Sequence, residues 1–185
     1  MRKLTVFNSV SIDGYFTDAD NDMSWAKADD PEFAEFVAGN AKGGGTLLFG
    51  RVTFQMMQSF WTTPAAKAAF PDVAKGMNAL PKVVFSKSLA KADWKNTKLV
   101  KSDPVAAVKK MKREAGTDMV ILGSGKLVAT LADAGLLDEI QLVVIPIVLG
   151  SGRTPFEGMK QRLELRLVKE RRFQNGNVLV CYAPA

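Results

Sequence analysis

Met119-Val120-Ile121-Leu122-Gly123-Ser124-Gly125-Lys126-Leu127 is the stretch from which this chain is read. Its first four residues are a short, wholly apolar run, the pattern of a strand covered on both faces. Gly123 and Gly125 then allow a sharp bend and leave room for a ligand to approach the main chain. A helix is predicted from about Lys126 to Ala134, with Leu127, Thr130 and Leu131 on one side and Gly135 as the residue that stops it. The first turn of a helix presents unpaired N–H groups and a partial positive charge, a place suited to a phosphate. Lys126 adds a full charge there, so the stretch reads as half of a site for a dinucleotide phosphate. The doubly wound dinucleotide fold needs a third glycine where this chain has Val128, and its turn follows the first strand of the fold. This one lies about two-thirds of the way along the chain, which points to a different α/β fold.

The same strand–turn grammar recurs upstream. Lys3 to Val10 is rich in Val, Phe and Thr and reads as a first strand. It runs into Ser11-Ile12-Asp13-Gly14-Tyr15, where Gly14 permits a positive φ and Asp13 can bond back to the main chain. Thr46 to Phe49 is a second buried strand, followed by Gly50-Arg51-Val52-Thr53-Phe54 and a helix through about Phe60. Arg51 offers a guanidinium fork for phosphate, and Thr53 a hydroxyl beside a helix-terminal amide. Lys82 to Ser86 is a third strand, ending in Ser86-Lys87-Ser88. The turns after Val10, Phe49, Phe85 and Leu122 thus stand at the carboxyl ends of strands, where open α/β sheets bind ligands.

The remaining segments fill in the layers. Thr17 to Asp22 is an acidic surface loop. Asp30-Pro31 starts a helix, cap first and proline at the first helical position. Phe33, Phe36 and Val37 form its buried stripe and Gly39-Asn40 its end. Glu32, in its first turn, either complements the helix dipole or faces a pocket as a carboxylate. Ala65 to about Asn78 is helical, interrupted at Pro71, and Lys98 to Lys101 is a short strand. Asp103-Pro104 caps a helix with Val105, Val108 and Met111 inward and Lys109, Lys110, Lys112 and Arg113 on a solvated face, ended by Gly116. Glu139 to Leu149 is a long core strand in which Pro146 implies a bulge or an edge. Leu163 to Val168 alternates, Asn175-Gly176 signals a hairpin, and Asn177 to Tyr182 returns. With no repeats or linkers, residues 1–185 read as one three-layer α/β domain, its central sheet mostly parallel with antiparallel strands at the C-terminal end.

Composition narrows the chemistry. The chain has 185 residues with 47% hydrophobic content, enough for one full core. No apolar run nears the roughly 20 residues that cross a bilayer, so no membrane role is expected and the protein reads as cytoplasmic. There is no histidine and one cysteine, Cys181, in an apolar run. That excludes disulfides within the chain, Cys/His zinc sites and hydrolytic triads built on histidine, and leaves Cys181 as a small core residue. The net charge of +6 divides into −5 over residues 1–40 and +11 over residues 41–185. The basic residues are dispersed without the aromatic-and-basic ladder of single-strand binders, so nucleic acid is not an expected partner.

Taken in order, the four turns resemble those of the dihydrofolate reductase-like superfamily, and above all the branch that includes the reductase domain of riboflavin biosynthesis. The resemblance is carried by Ser11-Ile12-Asp13-Gly14, by Phe49 to Phe54, by Val84 to Leu89, by Gly123 to Leu127 with Gly135 to Glu139, and by Pro146 to Gly152. It implies an NADPH-binding reductase, usually a homodimer, acting on a small molecule. It suggests that Gly50, Arg51 and Thr53 hold the cofactor phosphates. Phe85, Ser86 and Lys87 would meet the adenosine ribose and its 2′-phosphate, and Gly123, Ser124, Gly125, Lys126 and Leu127 would cradle the pyrophosphate. The segment from Val10 to Gly14 would border the nicotinamide. Two departures bear on the substrate. Riboflavin-pathway enzymes carry a glutamate where this chain has Leu122, and an Asp-Asp-Pro stretch where it reads Phe54-Gln55-Met56-Met57.

The expected activity is hydride transfer from NADPH to a C=N or C=O bond of a small heterocycle or carbonyl compound. Without histidine, the accompanying proton would come from Asp13, Glu32 or Asp30 with a raised pKa, from Tyr15, or from ordered water. Asp13 and Glu32 are the leading catalytic candidates. The rival reading is an NADP- or nucleotide-binding module without turnover.

Overall fold

A computed structural model describes residues 1–26 and 30–185. Among the described residues, eight strands form a single sheet: β1 (Leu4–Ser11), β2 (Thr46–Gly50), β3 (Lys82–Phe85), β4 (Thr97–Val100), β5 (Met119–Leu122), β6 (Glu139–Ile145), β7 (Leu165–Arg172) and β8 (Val178–Pro184). Their order across the sheet is β4-β3-β2-β5-β1-β6-β8-β7. The first six in that order run parallel, and β8 and β7 are antiparallel additions at one side. This is the architecture read from the sequence.

Six helices among the described residues cover the sheet: α1 (Pro31–Lys42), α2 (Arg51–Trp61), α3 (Pro64–Ala69), α4 (Pro71–Ala79), α5 (Pro104–Arg113) and α6 (Gly125–Asp133). The strand residues sort by parity onto two faces, as a pleated strand requires. Leu4, Val6, Leu48, Met119 and Ile121 pack with Val108 of α5 and with Leu127, Val128 and Leu131 of α6. Leu47, Phe49, Val84, Val120 and Leu122 pack on the other face with Phe54 of α2 and Met77 of α4. On that same face α1 places Phe33 and Phe36 against Phe173, Leu179 and Cys181 of the C-terminal hairpin region. The continuous apolar runs of β2, β3 and β5 are thus explained by burial on both sides. Cys181 is a core residue, and burial pushes its thiol pKa up.

Several boundaries differ from the sequence reading. The first helix runs through Gly39-Asn40 to Lys42, because Asp30 caps its start and the stop is supplied by Gly43 and the positive-φ pair Gly44 and Gly45. Thr130 is exposed and turns its hydroxyl back to the Lys126 carbonyl, so the buried stripe of α6 is Leu127, Val128, Leu131 and Ala132. Gly135, at φ +65°, does close that helix, and the Leu136 amide reaches back to the Leu131 carbonyl at 3.0 Å. The helix over residues 104–113 ends at Arg113, ahead of Gly116. Its Lys112 is not solvated: the ammonium is tucked against Asp138 and donates to the Leu136 carbonyl at 2.9 Å. Pro146 neither bulges β6 nor marks an edge; it ends a central strand at Ile145. The hairpin at Asn175-Gly176 forms as expected, with the Phe173 amide on the Asn177 carbonyl at 2.9 Å.

Candidate functional site

Strand register brings the four turns to one edge of the sheet. Gly50 stands level with Phe85, so the β2 turn is beside the β3 turn. β5 lies between β2 and β1, with Leu48 level with Ile121 and Phe7 level with Leu122. The turns after β3, β2, β5 and β1 therefore sit side by side at the carboxyl ends of adjacent parallel strands, which brings Arg51, Ser86 and Gly125 onto one rim.

The two central turns are bolted together by Ser124. Its Oγ accepts the Gly50 amide at 2.8 Å and donates to the Leu122 carbonyl at 3.2 Å, while its own amide donates to Thr53 Oγ1 at 3.1 Å. Ser124 holds a left-handed φ of 60°, unusual for a residue with a side chain, and those three bonds maintain it. The preceding Gly123 amide donates to Asn8 Oδ1 at 2.8 Å. Thr53 is buried, and a Cβ on Gly123 would lie 2.9 Å from its methyl, so a glycine is required there on space as well as φ. Thr53 and Ser124 thus act by shaping the rim. Thr53→Val keeps the volume but strands the buried Ser124 amide, and is expected to lower stability by about 2 kcal/mol in urea unfolding. Equal stability would show that the bond contributes nothing.

Asp30, Thr63 and Asp103 cap α1, α3 and α5 through side-chain oxygens, each followed by proline. Among the described residues, α2, α4 and α6 have no side-chain cap, and of these α2 and α6 begin on the rim. In α6 the Leu127 amide is already taken by the Ser124 carbonyl at 2.8 Å, and Arg51, Lys87 and Lys126 are exposed around the rim. Arg51 leans on Gln55 Oε1 at 3.0 Å. Ser86 uses its hydroxyl locally, accepting the Leu89 amide at 3.0 Å. Phe85, Val10 and Leu127 are buried, so any part they take in binding would be as main chain or packing support. Gly125 lies under the main chain of the following loop: a Cβ there would be 2.5 Å from the Thr154 carbonyl oxygen.

The catalytic candidates behave differently from expectation. Asp13 accepts the Leu149 and Gly150 amides at 3.1 and 2.7 Å, pinning the start of the loop that covers Gly125. The Ser11 hydroxyl, together with those amides, holds its carboxyl below the ordinary range. That is the opposite of the raised value a proton donor needs. Gly14, at φ +86°, makes the tight turn beside it. Glu32 pairs with Arg171 of β7 at 2.7 Å, and that guanidinium lies 4.8 Å from the centre of the Phe173 ring. Glu32 thus ties α1 to the hairpin and is not among the residues lining the cavity described next. Asp30 caps α1 with Oδ1, which accepts the Glu32 amide at 3.3 Å, while its Oδ2 is buried with no hydrogen-bond partner among the described residues.

Next to the rim, a cavity of about 380 Å³ opens between the sheet and α1, α2 and α4. β5 stops at Leu122, level with Phe7, whereas β1 continues to Ser11, and this step brings Asn8, Ser9 and Gly123 to the cavity's wall. Sequence reasoning missed the cavity and missed Asn8. The signal for Asn8 was present: it interrupts the buried parity series Leu4, Val6, Val10, where a polar residue needs a partner.

A three-layer α/β domain with six parallel strands and an antiparallel C-terminal pair is the dihydrofolate reductase-like fold. The chain belongs to the RibD C-terminal domain family, whose model matches residues 2–179. Over 186 residues it is 28% identical to YyaP, a Bacillus subtilis (strain 168) protein of uncharacterised function, covering 98% of this chain and 94% of that one. It is similar in structure to a Shewanella sp. PV-4 protein assigned to riboflavin biosynthesis, with a TM-score of 0.76 at 21% identity over 99% of both chains. A Thermotoga maritima diaminohydroxyphosphoribosylaminopyrimidine deaminase/5-amino-6-(5-phosphoribosylamino)uracil reductase gives a TM-score of 0.71 at 15% identity, over the whole of this chain and 57% of that one.

Proposed function

We propose that the protein is an NADPH-dependent reductase that reduces a C=N or C=O bond of a small heterocyclic or carbonyl substrate, in the manner of 5-amino-6-(5-phosphoribosylamino)uracil reductase or dihydrofolate reductase. The observation that carries this reading is the pair of side-chain-uncapped helix starts, α2 and α6, cross-linked by Ser124 and flanked by exposed Arg51, Lys87 and Lys126. Such donors and cations suit a phosphorylated dinucleotide, so the residues present fit the cofactor. Bound there, NADPH supplies the hydride.

The protein's own residues bind, orient and shield. The first turns of α2 and α6 hold the phosphates, while Arg51 and Lys87 meet the 2′-phosphate as charged donors. Asn8 and Thr53 fix the Gly123 and Ser124 amides, which sets the shape of the turn next to the cavity. Asp13 fastens the covering loop as a carboxylate, which leaves Asp30, Tyr15 or water as the proton source. Family likeness and the edge strand β7, exposed along its length, support a homodimer as part of this reading.

A thermal-shift titration with NADPH and NADH tests the assignment. NADPH should shift the wild-type protein at lower concentration, a ligand at 100 times its Kd adding roughly 2.7 kcal/mol. Arg51→Ala and Lys87→Ala should each cut the preference for NADPH over NADH by about tenfold. Unchanged discrimination in both removes the 2′-phosphate assignment. Steady NADPH oxidation with a panel of pterins, pyrimidines and quinones separates a reductase from a cofactor-binding module, which would bind without turnover.

A further inference from the structure

We infer that the cavity beside the rim takes an uncharged, largely apolar ring compound, such as a quinone or another conjugated cyclic carbonyl. This rests on the reductase reading, since it names the substrate class of that same site. A volume of about 380 Å³ suits a compound of one or two rings, given that a cavity of roughly 150 Å³ holds benzene. Its walls are Phe7, Val37, Leu47, Met57, Trp61 and Met77. Among the described residues, no lining side chain carries a charge. The polar groups on the wall are neutral amides and hydroxyls, among them Ser9, Asn40 and Gln141, which can orient a carbonyl without neutralising an anion.

Two further observations agree. Leu122 and Val120 of β5 add two more apolar side chains to the wall. Trp61 continues the apolar surface outward. It meets Phe60 edge-on at 4.9 Å and Phe70 at 6.2 Å, and those two rings are 46% and 40% exposed. An aromatic path thus leads from solvent to the wall, the kind of surface that passes a flat apolar molecule and gives a phosphate no partner. At the other end lie Asn8, Ser9 and Gly123, shared with the rim, so a ring in the cavity would lie next to a bound nicotinamide.

The probes are menadione, an uncharged naphthoquinone, and 1,4-naphthoquinone-2-sulfonate, its charged analogue, with uridine 5′-monophosphate as a phosphorylated pyrimidine. Each is titrated without cofactor, followed by tryptophan fluorescence and thermal shift. Menadione should bind at least about tenfold more tightly than either anion, with an affinity unmoved by salt. Val37→Phe and Met77→Phe, which fill the space, should weaken menadione by about tenfold or more while keeping the NADPH thermal shift of the wild type. Retention of that shift shows that the variants are folded. Tighter binding of an anion, or unchanged menadione affinity in both filled variants, overturns the inference while leaving the cofactor site standing. Absence of an NADPH shift in the wild type would instead strike the reductase reading, with the menadione titration still deciding what the cavity holds.

Discussion

Gly125→Ala is expected to lower stability by about 3 kcal/mol and to abolish most of the NADPH-induced thermal shift. The added methyl would lie 2.5 Å from the Thr154 carbonyl oxygen, far inside van der Waals contact, and 3.5 Å from both Phe16 and Glu157. Main chain cannot rotate away as a long side chain can, so either the loop over residues 150–156 or the start of α6 must move. The loop has little freedom to do so. Asp13 holds its first amides, and Thr17 and Arg153 pair across it in a short bridge. Gly152 is equally constrained, since a Cβ there would sit 1.9 Å from the Thr17 carbonyl oxygen. The displacement therefore falls on the first turn of α6, the part proposed to meet the pyrophosphate. Urea unfolding and NADPH titration of the purified variant measure both effects. Wild-type stability with wild-type cofactor affinity would show that the loop does not pack on α6 as described.

The second large effect concerns Lys82, which is 1% exposed at the start of β3. Its ammonium donates to the Leu80 carbonyl at 2.6 Å and lies 4.6 Å from the centre of the Trp94 ring, yet burial still lowers its pKa to about 8. In the unfolded chain the value returns to the ordinary 10.5. Below pH 8 both states carry the proton, and above 10.5 neither does. Between them the unfolded chain binds more protons, so this group makes stability rise with pH across that window, by up to about 3 kcal/mol. Lys82→Met removes the titration. The difference in unfolding free energy between wild type and variant should move in favour of wild type from pH 7.5 to pH 10.5, because all other groups cancel in the comparison. Parallel pH profiles for the two proteins would refute the buried, depressed lysine.

The fold was legible because its strands are short apolar runs and its turns carry their own chemistry. Met119 to Leu122 and Thr46 to Phe49 read as buried strands, Lys82 to Ser86 as a third strand, and Asp30-Pro31 and Asp103-Pro104 announce their helices. The rim was legible for the same reason, as glycine and a hydroxyl or cation at a strand end are local signals. What escaped was settled by partners remote in sequence. Glu32 meets Arg171 across the α1–hairpin contact, Asp13 meets the amides of Leu149 and Gly150, and Lys112 meets Asp138. Asp13 was read as bonding to its own turn, Glu32 as serving the helix dipole or a pocket, and Lys112 as solvated, because their actual partners lie far off in the chain. The cavity escaped for a related reason. Val37, Met57 and Met77 look like ordinary core positions, and only the spacing of three helices over the sheet leaves room between them.

The position of β5 has a consequence for synthesis. It is the fifth strand made, yet it is inserted between β2 and β1, the second and the first. Until it arrives those earlier strands have no shared partner, and the two halves of the rim, residues 50–53 and 123–127, are not neighbours. On the proposed cofactor reading, a nascent polypeptide halted before Met119 would lack half of the phosphate rim, and NADPH binding would report closure of the sheet's middle, a late and non-local event of the kind that slows folding.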